Sequence, residues 1–309
     1  MAWRYINPGY VHLLDAATQV KATQYIGYEK SKTGVGYLRQ GTPSPRITID
    51  SFNENDDFWG RFDVYIPSGS FEIYVYLPRT NNAGIDIFYY SGGICISRMK
   101  GFSSLSGSYD DMGIKVNQIN SFLLHAKYGD SSTAYMDIRI NDKQLERATG
   151  NAINFSTSYN PTASLFSVYN DSAVSNIIFS NEEINIKEQV VALPVSSTET
   201  AMSLQSDTYL ADSAGQTLLQ SVNVSSLISN FGSDSKVTGI ALVGNPAYRT
   251  GEQLSSLTAI SKTGGTVTEY GTSNLSTDSD TVIWQSVPVA SDTTIADLQN
   301  IQLGWKAGE

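Results

Sequence analysis

Hydrophobic and polar residues alternate in short runs through much of the first 180 residues. In the run "SFEIYVYLP", Phe71, Ile73 and Val75 would share one face of an extended strand, and Tyr74 and Tyr76 the other. A period of two is typical of a β-strand with one buried face. The pattern therefore predicts that the aliphatic and phenylalanine side chains lie inside and the tyrosines outside.

Turn residues separate these runs and predict how the strands pair. "PSGS" lies between "RFDVYI" and "FEIYVY", "SGG" between "GIDIFYY" and "ICISRM", and "DSS" between "SFLLHAKYG" and "TAYMDIRIND". Each combination is typical of a β-hairpin. Further strands are predicted in "SLFSVYND" and "VSNIIFSNEEI". Closely spaced strands without helical stretches between them predict an antiparallel β-sandwich.

Composition changes near Gln189. Residues 1–188 hold 16 Lys and Arg against 19 Asp and Glu, whereas residues 189–309 hold 4 against 11, which together give the net charge of −10. The second part also alternates more weakly and is rich in Ser and Thr. It contains the strand-like runs "TLLQSVNVSSLI", "KVTGIALVGN", "LTAISKTGGTVTEYG" and "DTVIWQSVPVA", with a helical turn in "NVSSLISNFG" as the alternative there. We expect two domains, residues 1–188 and 189–309.

The chain closes on "TTIADLQNIQLGWK", which starts like a helical turn and finishes like a strand. Thr294 can cap the turn with Asp297 three residues later, a variant of the capping box. Ile295 and Leu298 would then face the core. In the strand that follows, Gly304 would allow close approach to a neighbouring strand.

This closing segment resembles the end of β-sandwich domains in bacteriophage and prophage structural proteins, which often finish with Thr, an Ala-Asp-Leu type of turn and a strand ending in Gly-x-Lys. Asp292-Thr293 stands where that family often has Trp before the Thr. The resemblance implies a tail-fibre-like virion protein that contacts other virion subunits and is often a homotrimer, although the chain has no coiled-coil heptads. Such a protein is made in the host cytoplasm, needs no signal peptide and becomes extracellular after lysis.

Three runs in the first part resemble concanavalin A-like lectin/glucanase domains of the laminin-G type. They are "FWGRFDVYIP", "FLLHAKYGDSSTAYMDIRINDKQL" and "VSNIIFSNEEI". Many such domains carry Asn-Gly where this chain has Asn141-Asp142-Lys143. The resemblance implies an all-β fold, a jelly-roll sandwich over residues 1–188 followed by a smaller β-sandwich. It also implies a lectin-like function, with host-surface polysaccharide as the ligand.

Charge and cysteine content narrow the possible partners. A net charge of −10 argues against nucleic acid and against anionic membranes as partners. Cys95 is the single cysteine, so no internal disulfide forms, and it is expected to pack as a small hydrophobic residue. No apolar run resembles a signal peptide or a membrane span, which predicts synthesis in a cytoplasm.

The sequence shows no pattern typical of a catalytic site. Glucanases of the concanavalin A-like fold use Glu-x-Asp-x-(x)-Glu on one strand. Glu54, Asp56 and Asp57 instead lie in a polar turn, and Asp137 and Asp142 are too far apart. There is no recognisable Ser-His-Asp set and no phosphate-binding loop. The prediction is a protein without enzymatic activity.

Two acidic segments are candidates for metal binding. Asp56 and Asp57 in "FNENDD", and Asp110 and Asp111 in "YDDMG", offer the oxygen ligands that Ca²⁺ prefers. The alternative is that both are solvated acidic loops. No cofactor other than Ca²⁺ is suggested.

A glycan site needs flat aromatic rings for the sugar and polar groups for its hydroxyls. Outward strand positions supply a candidate set on one face: Tyr74, Tyr76, Phe88, Tyr90, His125, Lys127, Tyr135 and Arg139. The alternative is that these are ordinary strand residues on the two outer faces of a sandwich.

Glycan binding by a tail-fibre-like protein is the first hypothesis. Other functions that the sequence leaves open are a purely structural head-decoration or baseplate protein and a bacterial cell-surface adhesin. A glycan hydrolase or lyase is disfavoured, because paired carboxylates are not evident.

Overall fold

The computed structural model describes residues 4–7, 20–23, 37–40, 46–49, 51–66, 68–69, 71–81, 83–90, 93–98, 101–167, 173–244, 247–251, 253–278 and 281–309. The chain is mostly β, with several antiparallel sheets, which confirms the predicted fold class. It forms two compact units, residues 2–191 and residues 192–309. Assignment of each unit to a named domain type stays a prediction.

The first unit contains two sheets. Its strands are β1 Arg4–Asn7, β2 Val20–Thr23, β3 Tyr37–Gln40, β4 Arg46–Thr48, β5 Phe58–Ile66, β6 Glu72–Tyr76, β7 Gly84–Tyr90, β8 Gly93–Arg98, β9 Leu105–Gly107, β10 Gln118–Lys127, β11 Tyr135–Ile140, β12 Lys143–Gln144, β13 Thr162–Ser167 and β14 Ala173–Ser180. An eight-stranded sheet has the order β12-β11-β10-β5-β14-β3-β2, with β1 also paired to β14. A six-stranded sheet has the order β4-β13-β6-β7-β8-β9. A short 3₁₀ turn, Asp110–Met112, follows β9.

Both sheets of this unit contribute to one hydrophobic core. Phe62 and Phe122 of the eight-stranded sheet lie in the same buried cluster as Ile73, Val75 and Ile87 of the six-stranded sheet. Ile73 and Val75 are completely buried. The alternation in the sequence therefore identified the inward face of β6, and the two sheets form a sandwich of jelly-roll type.

One predicted hairpin is wrong. The run "RFDVYI" is β5, which pairs with β10 and β14, whereas "FEIYVY" is β6, which pairs with β7 and β13. The intervening turn thus carries the chain from one sheet to the other. A period of two shows which residues face the core, but it does not distinguish a hairpin from two strands facing each other across the core.

The two other predicted hairpins are confirmed. The pairing of β7 with β8 extends to Tyr90 opposite Gly93. The pairing of β10 with β11 extends to Lys127 opposite Tyr135.

A buried polar network lies on the outer side of the eight-stranded sheet. Arg61 and Asp63 are fully buried and form an ion pair of 2.8 Å. Asn176 donates to the Asp63 carboxylate at 2.6 Å, and its own side-chain oxygen accepts from the Val190 amide at 3.2 Å. Arg61 also donates to the carbonyl of Ile186 at 3.2 Å. These bonds hold the segment that follows β14 against the sheet.

The second unit is built around a five-stranded antiparallel sheet. Its strands are β15 Val195–Thr200, β16 Ser203–Gln205, β17 Thr208–Leu210, β18 Thr217–Val222, β19 Ile240–Gly244, β20 Ser256–Thr263, β21 Thr266–Asn274, β22 Ile283–Val287 and β23 Ile301–Gly308. The main sheet has the order β15-β18-β23-β20-β21, and β16-β17 and β19-β22 form separate pairs. A helix α1, Ser225–Phe231, follows β18, and a 3₁₀ turn, Ala296–Asn300, precedes β23.

The closing segment folds as its sequence predicts. The Thr294 hydroxyl donates to Asp297 Oδ2 at 2.8 Å, and the Thr294 amide donates to the same oxygen at 2.8 Å. The Asp297 amide in turn lies 3.4 Å from the Thr294 hydroxyl oxygen. Ile295 and Leu298 are buried. The capping box is confirmed, and it directs the chain into β23 at the centre of the sheet.

Gly304 is the close-approach position of β23. A Cβ at this residue would lie 1.8 Å from the carbonyl oxygen of Leu218 on β18. Because heavy atoms cannot approach that closely, only glycine fits here. The predicted close contact between strands is confirmed.

Within the described part of the chain, no helix is long and apolar enough to cross a membrane.

Candidate functional site

The outer face of the six-stranded sheet carries a group of aromatic and acidic side chains. Cross-strand pairing places Tyr74 of β6 directly opposite Asp86 of β7, and Glu72 opposite Phe88. Phe88 in turn pairs with Cys95 of β8. These side chains are all partly buried, in contrast to the fully buried inward residues beside them. We call Glu72, Tyr74, Tyr76 and Asp86 the tyrosine–carboxylate face.

The two tyrosines of this face form a parallel pair. Their ring centroids are 6.0 Å apart and their planes differ by 2°. The Tyr74 hydroxyl donates a hydrogen bond to Glu72, two residues earlier on the same strand. Burial, followed by this hydrogen bond, raises the pKa of Tyr74, so its phenol stays protonated at neutral pH. The pair thus presents fixed, uncharged aromatic rings.

Asp86 lies among these groups with an unsatisfied oxygen. Its Oδ1 is shielded from solvent and accepts no hydrogen bond. Burial, and then the negative charge of Glu72, raise the pKa of Asp86 to about 7. An ionised carboxylate is disfavoured in such surroundings. At neutral pH this carboxyl can therefore act as either a hydrogen-bond donor or an acceptor.

Cys95 belongs to the same outer face and not to the core. Its strand neighbours Ile94 and Ile96 point inward and are buried, whereas Cys95 is half-buried opposite Phe88. Burial, followed by the charge of Asp86, raises the pKa of the Cys95 thiol. It is therefore a protonated, weakly polar neighbour of the carboxyl. Cys95 lies within a strand, as expected, and it packs on the outer face of the sheet.

Gly84 of β7 stands directly opposite Tyr76. A Cβ at Gly84 would lie 2.0 Å from the carbonyl oxygen of Val75, so the close spacing of β6 and β7 requires glycine here. No side chain therefore stands beside Tyr76 at this position of the neighbouring strand.

The eight predicted glycan-binding residues do not share one face. Tyr74, Tyr76 and Phe88 lie on the six-stranded sheet, whereas the residues of β10 and β11 lie on the eight-stranded sheet, on the opposite outer surface of the sandwich. The latter residues are His125, Lys127, Tyr135 and Arg139. The single-face prediction is wrong because β6–β7 and β10–β11 belong to different sheets, a fact that alternation alone does not reveal.

The side chain of His125 is enclosed by its neighbours. Its ring stacks on Trp59 at 3.7 Å and meets the edge of Tyr135 at 5.1 Å. Its Nε2 lies 2.9 Å from Asp57 Oδ2. The guanidinium of Arg147 lies 4.0 Å above the Tyr135 ring. The ring of His125 thus has contacts on both faces and at one nitrogen, which is typical of a structural cluster.

The other three predicted residues contribute less to a site. Lys127 is exposed and pairs with Tyr135 at the end of β10. Arg139 is partly buried, and its Nε has no hydrogen-bond partner. Tyr90 pairs with Gly93 through its backbone, and its side chain lies outside the described residues.

Three of the four aspartates suggested for Ca²⁺ accept hydrogen bonds in turns or contact another side chain. Asp56 accepts from the Asn53 amide at 2.9 Å, and Asp57 contacts His125. Asp111 accepts from the Ser108 hydroxyl at 2.7 Å and lies with Asp110 in the short turn Asp110–Met112. Over the described ranges, no three His, Cys, Asp or Glu side chains form a group that could hold a metal ion. Ca²⁺ binding stays a prediction without a described site.

The sequence pattern does not reveal that Glu72 and Asp86 are close to each other. They lie on neighbouring strands at diagonal positions, because Glu72 is opposite Phe88 and Asp86 is two residues before Phe88. Such positions are about 7–8 Å apart. A search for carboxylates spaced along one strand cannot find such a pair. The β6–β7 hairpin register would have found it.

Comparisons with known proteins give only remote similarities. No protein-family model matches the chain, and no curated protein matches it. Among solved structures, endo-β-1,4-glucuronan lyase from the fungus Trichoderma reesei is 8% identical, with 57% of this chain and 94% of that chain covered and a TM-score of 0.37. Sheep galectin-11 is 12% identical, with coverages of 45% and 99% and a TM-score of 0.30.

A third similar structure is the binding domain of botulinum neurotoxin DC in complex with rat synaptotagmin II. It is 10% identical, with 87% of this chain and 68% of that chain covered and a TM-score of 0.35. At these identities and TM-scores, the similarities carry no argument about ligands or activity. The candidate site therefore depends on its own chemistry.

Proposed function

We propose that this protein binds glycan, without catalysis, through the tyrosine–carboxylate face. The observation that carries this proposal is the parallel Tyr74–Tyr76 pair beside the unsatisfied carboxyl of Asp86. Pyranose rings bind proteins by placing their C–H faces on aromatic rings and by pairing their hydroxyls with polar side chains. Both kinds of group occur here within one hairpin.

The opposite outer face serves as an internal comparison. There the aromatic rings stack on one another or on Arg147, and the His125 nitrogen already contacts Asp57. Hydroxyl groups of a sugar would have to displace these contacts. Each outer face has a buried polar atom without a hydrogen-bond partner. It is Arg139 Nε on the opposite face and Asp86 Oδ1 on the tyrosine–carboxylate face, where Asp86 stands directly opposite Tyr74.

A glycan array tests the proposal. Wild-type protein is expected to bind at least one glycan, and the variant Tyr74→Ala plus Tyr76→Ala to lose at least about tenfold in affinity, since each ring contributes on the order of 1 kcal/mol. Tyr135→Ala, on the other sheet, is the matched control and should bind as wild type. Unchanged binding by the double variant would contradict the proposed site.

We also propose that the protein is a virion component of tail-fibre type, located in the particle and released by lysis. The support is the closing segment "TTIADLQNIQLGWK", which resembles phage structural proteins. Other virion subunits and two further copies of this chain are the expected partners.

Mass spectrometry of purified phage particles tests whether the protein is part of the particle, and light scattering of the purified chain tests whether it is a trimer. Absence from the particles would favour a bacterial surface adhesin. A virion protein that binds no glycan would be a head-decoration or baseplate component.

A second candidate function is glycoside hydrolysis. The Glu72–Asp86 pair favours it, because burial and the charge of Glu72 raise the pKa of Asp86 to about 7, so that this carboxyl could act as a general acid beside a second carboxyl. Release of reducing ends from a bound glycan, abolished by Glu72→Gln, would establish this activity. Binding without any release of reducing ends would exclude hydrolysis of that glycan.

A further inference from the structure

Resting on the proposed glycan site, we propose that the tyrosine–carboxylate face selects sugars with a free, protonated amino group over neutral sugars and over uronic acids. The ligand class is thus a hexosamine that is not N-acetylated. Three features of this face support the selectivity: its acidic charge, the Tyr74–Tyr76 pair and the Asp86 oxygen without a hydrogen-bond partner.

The described side chains of this face are acidic, aromatic or neutral. Glu72 and Asp86 are its ionisable carboxyls, and Ser97 and Ser164 lie on the neighbouring strands. Arg46 is a cationic residue of the same sheet. It lies on the edge strand β4, opposite Ser164, and its backbone is three strands, or roughly 14 Å, from the backbone of Asp86. A uronic acid would bring its carboxylate close to Glu72, and like charges at short range repel.

The aromatic pair favours a cation. Tyrosine ring faces carry negative electrostatic potential and attract ammonium groups within about 6 Å of the ring centroid. Tyr74 stands directly opposite Asp86, and Tyr76 lies two residues farther along the same strand and on the same face. An ammonium group on a stacked sugar would therefore meet two ring faces and two carboxyls together. A neutral sugar would use the rings but would leave the Asp86 carboxyl protonated.

The protonation state of Asp86 should depend on the charge of the ligand. Because its Oδ1 accepts no hydrogen bond, the ionised form gains little from the protein itself. A ligand cation within about 4–6 Å would favour the ionised form. Binding of an amino sugar below neutral pH should therefore displace the proton from the Asp86 carboxyl to the buffer. Binding of a neutral sugar should not.

The test is isothermal titration calorimetry of the full chain at pH 6.0, in two buffers that differ in ionisation enthalpy. The probes are the hexamers of glucosamine, N-acetylglucosamine and galacturonic acid. We expect the glucosamine hexamer to bind at least about tenfold more tightly than the N-acetylated hexamer, with release of a proton. The galacturonate hexamer should bind most weakly.

Asp86→Asn is the matched variant, since it keeps the shape of the side chain and removes the titrating group. It should bind the two glucosamine-based hexamers within about twofold of each other and release no proton. Equal affinity of the wild type for these two hexamers, or failure to bind the glucosamine hexamer at all, would overturn the amino-sugar selectivity. The proposed function would still stand if the array shows a glycan whose binding needs Tyr74 and Tyr76, and would fail if it shows none.

Discussion

Tyr74 and Asp86 stand directly opposite each other on neighbouring strands of the six-stranded sheet, with their side chains on its outer face. The phenol of Tyr74 is committed to Glu72, and the Asp86 Oδ1 receives no hydrogen bond. One hydrogen bond thus leaves one carboxyl paired and the other unpaired. The two carboxyls therefore differ in their surroundings, and the raised pKa of Asp86 makes its protonation depend on pH near neutrality.

Asp86→Asn should stabilise the protein at pH 8. The pKa of Asp86 is raised to about 7 in the folded protein, mainly by burial, so its protonated form stabilises the fold below the unfolded pKa of about 4. That contribution is lost as pH rises through 7. Because Asp86 is only partly buried, the gain at pH 8 should be on the order of 1 kcal/mol.

Urea denaturation at pH 4, 6 and 8 measures this effect. The advantage of Asp86→Asn over wild type should grow as pH rises from 4 to 8. A difference that does not change with pH would show that Asp86 has no raised pKa.

Gly304→Ala should destabilise the second unit by about 3 kcal/mol, because the added Cβ would collide with the Leu218 carbonyl oxygen. Hydrogen exchange of peptides from β23 in increasing urea measures the loss. Gly251→Ala is the control, since a Cβ there meets no atom within 4 Å. Equal stability of the two variants would disprove the close approach of β18 and β23.

Thr294→Ala should cost about 1 kcal/mol of unfolding free energy by removing the cap of the last helical turn. Thr266→Ala, at an exposed hairpin position, should leave stability nearly unchanged.

Hydrogen bonds from the Thr294 backbone amide and hydroxyl lower the pKa of Asp297. Its stabilising effect should therefore be present above its unfolded pKa and be lost as pH falls through its folded pKa.

Denaturation curves between pH 2 and pH 6 check this sign. Asp297→Asn should flatten the acid part of the stability profile, whereas a profile identical to wild type would mean that the cap contributes nothing.

Arg61→Met should destabilise the first unit by about 3–5 kcal/mol, because Asp63 would remain buried without its cation. Arg147→Met is the matched control. Its ion pair with Asp137 lies near the surface, and its removal should cost less than about 1 kcal/mol. Guanidinium denaturation compares the two. Similar losses for both variants would show that the Arg61 ion pair is not buried in solution.

The fold could be predicted from the sequence where local pattern determines it. Alternation identified Phe71, Ile73 and Val75 as core, and the capping residues Thr294 and Asp297 fixed the final turn. Sheet membership could not be predicted in the same way. The consecutive strands β5 and β6 belong to different sheets, and the sequence "PSGS" between them is equally compatible with a hairpin.

The candidate site was predictable only in part for the same reason. Tyr74 and Tyr76 follow from alternation within one strand. The relation of Glu72 to Asp86 depends on cross-strand register, and the separation of His125 from Tyr74 depends on which sheet each strand joins. Local sequence spacing determines neither of these.

A crystal structure of the full chain with a glycan that binds it on the array tests the central claim most directly. We predict sugar rings against Tyr74 and Tyr76, with a polar group of the ligand within hydrogen-bond distance of Asp86 or Glu72. Sugar bound instead beside His125 and Tyr135, or on the second unit, would contradict the account.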